Sequence, residues 1–271
     1  MTGCGAYGSA PRFASCGKKS IVAQLDIGPY EAQKSRIFFS GANAVEIPAS
    51  FASPLATESQ ARKFPGVVIH PDFMGLRPLF EDISWRLATH GFSVICPDPF
   101  VHLSKEDQAN LDPAARMRSM AALDDELQMH DLIAAANELT KLAGISTMNV
   151  TGFCLGGMQV LKAAATGRFD RAVSFYGQLR LPPEWQGGTM GSPLGNLGQV
   201  CPTLAIFGAL DPFSPAADIA DLRKEWRDRP DCEILIYPKA NHAFVHDPDR
   251  PSHRQSDAMD AWVHTLDWFN S

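Results

Sequence analysis

From Pro65 onward the chain alternates between two kinds of segment, and this rhythm constrains the fold more than any other feature. Short apolar runs rich in β-branched residues, such as PGVVIH (65–70) and FSVICP (92–97), have the length of buried strands. Between them lie stretches with apolar residues at helical spacing. In LRPLFEDISWRLATHG, Leu79, Phe80, Ile83 and Leu87 fall on one face, and Gly91 is a natural stop. A long helical stretch is expected from about Ala114 to Leu142, after a loop that begins at PDPF. Further strands are expected at 146–153, RAVSFYG, CPTLAIFG and CEILIYP, with helices after CLGG, around 215–228 and over 252–270. Strands alternating with helices predict a mostly parallel central sheet covered by helices on both faces. Two earlier runs, RIFFS and AVEIPASFASP, read as an antiparallel edge. Residues 1–30 show little periodicity and read as a loosely ordered N-terminal extension, leaving 31–271 as a single domain.

Composition narrows the partners. The 24 basic and 30 acidic residues give a net charge of −6, with no basic stripe of the kind a nucleic-acid binder carries. No apolar run approaches the roughly 18 residues a membrane span needs. The N-terminus lacks a basic start followed by an apolar stretch, so no secretory signal is expected. The six cysteines, Cys4, Cys16, Cys96, Cys154, Cys201 and Cys232, form no CxxC pair. A chain able to bury a large core does not need a disulfide framework. These features predict a cytoplasmic protein with reduced thiols, acting on a small molecule, as a monomer or homodimer.

A parallel sheet places its chemistry at the carboxyl ends of its strands. Three segments there carry reactive side chains. Gly152-Phe153-Cys154-Leu155-Gly156-Gly157 has the G-x-S-x-G form with cysteine at the nucleophile position, between a strand and a helix. That turn places Cys154 at a helix N-terminus, where partial positive charge favours a thiolate, and lets the Leu155 N–H face a developing oxyanion. Asp211 follows the strand CPTLAIFG; taken alone it would equally serve as a turn or helix-cap residue. His242 follows CEILIYP; alone it is a loop histidine. The chain order nucleophile, acid, histidine is that of the α/β-hydrolase triad, which favours the joint reading. His242 and His246 are four residues apart, a zinc spacing on a helix, but Pro238, Pro248 and Pro251 make this a loop and no H-E-x-x-H is present. No metal or organic cofactor is expected.

GFCLGG, GALDPFSP and NHAF, with HPDFMGLRP and CPDPF, resemble the dienelactone hydrolase family over about three quarters of the chain. The resemblance implies an α/β-hydrolase fold with Cys154, Asp211 and His242 as triad. It also implies opening of a lactone such as carboxymethylenebutenolide, in the catabolism of chlorinated aromatics. The family's acidic residue in a segment like H-E-I-F-G corresponds to Asp72, expected to contact Cys154 and take its proton. The N–H of Phe73 would then complete the oxyanion hole. Two arginines that hold the substrate carboxylate in lactone-opening members correspond here to His102 and His246. An arginine fork grips a carboxylate bidentately and is always charged, whereas histidine is only partly charged near neutral pH. The expected substrate is therefore a lactone or small ester not selected for its negative charge, with Arg77 as the candidate replacement anchor. A small-molecule receptor with little turnover and a redox-sensing thiol are the competing functions.

Overall fold

The computed structural model describes residues 25–55, 64–145 and 147–271. Its eight strands are β1 (Ala32–Ser40), β2 (Glu46–Pro54), β3 (Gly66–His70), β4 (Ser93–Pro97), β5 (Met148–Phe153), β6 (Arg171–Phe175), β7 (Thr203–Gly208) and β8 (Cys232–Tyr237). They form one sheet in the order β1-β2-β4-β3-β5-β6-β7-β8. β1 pairs antiparallel with β2, and β2 antiparallel with β4; every other pairing is parallel. This is the α/β-hydrolase fold.

The helices are α1 (Pro78–Thr89), α2 (Lys105–Ala109), α3 (Pro113–Ser119), α4 (Asp125–Ala143), α5 (Leu155–Ala163), α6 (Ala216–Glu225) and α7 (Gln255–Asn270). Because successive strand side chains point to opposite faces, each central strand feeds two cores. Val67, Ile69, Val94, Cys96, Leu204 and Ile206 meet α1 and α7 through Leu79, Ile83 and Trp262. Val68, Ile95, Val150, Ala205 and Phe207 meet α4, α5 and α6 through Leu132, Leu139, Val160 and Leu222. This two-sided burial is why the strands read as continuous apolar runs.

Two stretches differ from the sequence expectation. The loop after β4 contains the short helix α2, whose N-cap Ser104 accepts a hydrogen bond from Asp107 N. The single helix expected from Ala114 to Leu142 is broken. α3 ends at Ser119, a 3-10 turn covers Met120–Ala122, and Asp124 adopts an extended backbone and caps α4 by accepting from Leu127 N. A side-chain acceptor at an N-cap competes with helix continuation, which is why aspartate starts helices better than it propagates them.

The proposed extension divides at Leu25. Residues 1–24, with Cys4 and Cys16, lie outside the described residues. Leu25 is buried in the α1–α7 core, its carbonyl accepts from Arg86 Nη1, and Gly28 N donates to Thr89 Oγ1.

Candidate active site

The strand order reverses between β3 and β5: the connection from β3 runs to one side, to β4, and the next crosses back to β5. A crevice opens at the carboxyl ends of strands flanking such a reversal. Asp72 follows β3 and Cys154 follows β5, so both lie at its rim.

Cys154 sits directly between β5 and α5 with φ 58° and ψ −118°, a backbone conformation unfavourable for a residue with a side chain. Its surroundings hold it there. Cys154 N donates to Phe175 O on β6 at 3.0 Å. Gly152 and Gly156 permit the close approach: a Cβ on Gly156 would lie 2.2 Å from His70 O, and one on Gly152 2.4 Å from Gly156 O. Only glycine tolerates such contact with backbone. Leu155 opens α5, so its N–H lacks an intrahelical acceptor.

His242 comes from the loop after β8. Its Nδ1 is 2.7 Å from Asp211 Oδ2. Asp211 is buried and emerges just past β7, its Oδ1 accepting from Phe213 N. It does not cap α6, whose N-cap is Pro215. The Phe213 and Tyr176 rings lie edge-on to His242, with centroids 4.9 and 5.3 Å away. Burial disfavours a charged imidazole. The negative charge of Cys154 and the hydrogen bonds with Asp211 and Cys154 outweigh that and push His242 up to about 10. The three side chains named from sequence are therefore neighbours.

Asp72 is placed differently from expectation. It is fully buried and both carboxylate oxygens are engaged: Oδ1 accepts from Arg77 Nη1 at 2.6 Å and Met74 N at 2.9 Å. Oδ2 accepts from Arg77 Nη2 at 2.9 Å, His246 Nε2 at 2.9 Å and Arg250 Nη2 at 3.2 Å. Burial would raise its pKa, but the His246 hydrogen bond and the Arg77 guanidinium hold the carboxyl far below the usual carboxylate range. An acid held this firmly as a carboxylate is unsuited to taking and returning a proton near neutral pH.

His246 is also not where a substrate contact requires it. It has no exposed surface, and burial lowers its pKa more than Asp72 raises it, leaving a neutral ring. Nε2–H donates to Asp72, so Nδ1 is the acceptor for the Tyr176 hydroxyl. Its ring packs against Phe153 and Phe80 at centroid distances of 5.0 and 5.8 Å. His102 pairs with Asp131 of α4 at 2.8 Å, and Asp131 also accepts from Ala42 N beside the β1–β2 turn. Arg77 is bound bidentately to Asp72 and lies over the Phe80 ring.

Three residues of the site escaped the sequence reading: Tyr176, Gln178 and Arg250. Tyr176 and Gln178 follow β6, the strand beside β5, and the strand-end rule that found the triad positions points to them too. Gln178 Nε2 lies 3.6 Å from Cys154 Sγ. Arg250 is eight residues beyond His242 and carried no sequence signal. Among the described residues, no group of histidine, cysteine and carboxylate side chains is arranged to hold a metal.

The model of the dienelactone hydrolase family matches residues 51–271. The chain belongs to this family. A Yersinia pestis protein described as a "putative carboxymethylenebutenolidase" is 30% identical over 234 residues, covering 83% of each chain. A Bradyrhizobium protein described as a "probable 2-oxo-3-(5-oxofuran-2-ylidene)propanoate lactonase" is 30% identical over 234 residues, covering 83% of this chain and 90% of that one. Among solved structures, a Klebsiella pneumoniae protein titled a "putative dienelactone hydrolase" superposes with a TM-score of 0.80 at 24% identity, covering 89% of this chain and 99% of that one. This dienelactone hydrolase family member is a hydrolase acting on ester or lactone bonds. Among the described residues no helix is long and apolar enough to cross a membrane.

Proposed function

We propose that the protein hydrolyses a lactone or small neutral ester through an acyl-thioester on Cys154. The observation that carries this reading is the strained turn holding Cys154 at the N-terminus of α5, beside an imidazole hydrogen-bonded to buried Asp211. In the proposed reaction Cys154 attacks as the thiolate, and His242, its pKa raised, carries the proton. Sγ attacks the carbonyl carbon, the C–S bond forms, and the carbonyl π electrons move onto oxygen. The N–H groups of Leu155 and Phe73 receive that oxyanion. Collapse breaks the C–O bond, and the leaving alkoxide takes the proton from His242. A water then gives a proton to His242 as its oxygen adds to the thioester carbon. The second collapse releases the acid and restores thiolate and imidazolium. Asp211 orients the ring throughout. Asp72, held as a carboxylate, takes no part in proton transfer; its backbone positions the adjacent Phe73 N–H.

The relatives named above are described as lactone hydrolases, which supports a lactone as substrate. The engagement of the three candidate anchors, His246, His102 and Arg77, and of Arg250 beside them supports a neutral one. His246 is buried and neutral, His102 is engaged by Asp131, and Arg77 and Arg250 face Asp72 and Asp247. Two cations against two carboxylates leave no net positive charge.

Alkylation tests the nucleophile. Iodoacetamide is expected to label Cys154 with loss of hydrolysis in step, and Cys154→Ala to lose turnover on every lactone and ester. Full activity with Cys154 quantitatively alkylated would refute the assignment. Sustained turnover by the wild-type protein also excludes a receptor that merely binds its ligand.

A further inference from the structure

The loops after β6 and β7 enclose a cavity of about 310 Å³ at the carboxyl edge of the sheet. That is the small end of the range, about 300–1,000 Å³, in which small-molecule sites fall. Leu181, Pro182, Pro183, Pro212 and Pro215 form its apolar walls. Proline fixes φ, so these walls are set before a ligand arrives and binding need not order them. The two loops are also tied together. Ser214 Oγ donates to Gly177 O, and Arg180 reaches Asp218 and Asp221 of α6 at 2.9 Å each. Phe213 is shared with the proposed triad. Its ring borders the cavity and lies edge-on to His242, with centroids 4.9 Å apart, and its N–H donates to Asp211 Oδ1 at 2.8 Å. The side chain is 47% exposed, so this wall is open to an incoming molecule.

Resting on the proposed mechanism, we infer that this cavity is the leaving-group site and takes an apolar, uncharged group on the alcohol side of the substrate. The side follows from the proton. In that reaction His242 gives its proton to the departing alkoxide, so the leaving oxygen comes within hydrogen-bond reach of the imidazole. A group carried by that oxygen is brought to Phe213, which flanks the imidazole, and to the cavity Phe213 borders. The acyl carbon stays on Cys154 Sγ. Neither the turn that holds Cys154 and Leu155 nor the Asp72–Phe73 segment contributes to the cavity, so it does not serve the acyl side. Its ionisable lining is Arg180, Glu184 and Asp218. The one guanidinium is already held by two carboxylates, which leaves no cation for an anionic group. The substrate class is an ester of a ring-sized apolar alcohol, or a lactone with such a substituent on the carbon bound to the ring oxygen.

The test uses the full chain and a pair of isomers, benzyl acetate and methyl phenylacetate, which place the same ring on opposite sides of the ester. The readout is the ratio of their kcat/KM values, each normalised to its rate with hydroxide. A ratio within one protein cancels any general loss of activity. Wild type is expected to favour benzyl acetate about tenfold or more, the order expected for burying an aromatic ring. Leu181→Trp, which fills the cavity, and Phe213→Ala, which removes the shared wall, should each bring the ratio near one by slowing benzyl acetate. Should Leu181→Trp fail to fold, Phe213→Ala carries the comparison from an exposed position. A carboxylate added to the far end of the benzyl ring should cancel the advantage. A ratio near one in wild type, variants that slow methyl phenylacetate as much as its isomer, or undiminished use of the anionic benzyl ester overturns the inference. Hydrolysis of both isomers by Cys154→Ala is a separate outcome: it removes the mechanism on which the inference stands, and so identifies that reading as the one that failed.

Discussion

Replacing His246 is expected to unfold the protein earlier and to leave its choice of substrate charge unchanged. His246→Phe is the informative variant, because it keeps a ring of similar size between Phe80 and Phe153 and opens little cavity. It removes two hydrogen bonds. The Tyr176 hydroxyl, fully buried, loses its acceptor, which costs about 1–3 kcal/mol. Asp72 loses a donor to its charged carboxylate, worth about 1.5–3 kcal/mol, although Arg77, Arg250 and Met74 N remain. The two losses share one side chain and will not add fully, so about 3 kcal/mol is expected. That is a large part of the roughly 5–15 kcal/mol that stabilises a typical domain. Thermal unfolding should move down by about 6–12 °C, at some 2–4 °C per kcal/mol for a chain this large. Adding Tyr176→Phe should recover part of the loss, because removing both partners of a buried hydrogen bond costs less than orphaning one. A melting temperature within 2–3 °C of wild type, roughly the effect of 1 kcal/mol, together with a changed preference between anionic and neutral lactones, would refute this reasoning and return His246 to the substrate pocket.

Two further outcomes follow. His242, pushed up to about 10 by its neighbours, should keep both ring nitrogens protonated from neutral pH to well above pH 8 in the resting protein; the change to a neutral ring, followed by ring-nitrogen NMR, belongs near pH 10, and a transition near the ordinary histidine value would remove the ion pair from the mechanism. For matched lactones with and without a carboxylate, kcat/KM at pH 8 should show little preference for the anion. A strong preference that persists at pH 8 would refute the neutral-substrate reading. Its loss in Arg77→Ala would mark Arg77 as the anchor. Its loss in Arg116→Met would point instead to Arg116, which lies buried over Phe100 with Nε and Nη1 unpartnered.

The fold was legible because its signals are local. Each buried strand announces itself as a short β-branched run, and each segment that precedes a candidate site residue ends in glycine or a tight turn. Cys154, Asp211 and His242 could be picked out because each follows its own strand, and a parallel sheet gathers strand ends on one edge. What escaped the reading depends on partners distant in sequence. Nothing in the spacing of His246 tells that it meets Asp72, 174 residues away, or Tyr176, 70 residues away. The resemblance implied a substrate-binding position for His246, whereas the ring is fully buried against Phe153. The break between α3 and α4 was visible as Asp124-Asp125 ahead of an apolar run, but helical periodicity on both sides concealed it.

Asp72 and His246, the two positions where the resemblance to the family implies a longer acid and an arginine, are one physical unit. Asp72 Oδ2 and His246 Nε2 are in direct contact at 2.9 Å, with both side chains fully buried. A neutral, fully buried imidazole brings no positive charge to Asp72. The carboxylate must then be balanced from elsewhere, because a buried charge without a partner is strongly destabilising. Arg77 and Arg250 supply that balance from the rim, each less than one third exposed. Their commitment has a chemical consequence. An arginine paired with a buried carboxylate loses that charge-assisted contact if it turns toward a substrate anion. In the proposed reading, a neutral His246 brings no cation to a substrate, and Arg77 and Arg250 are held by Asp72. By the same contacts Asp72 stays ionised, which leaves His242 as the group that exchanges protons with Cys154 in the proposed reaction.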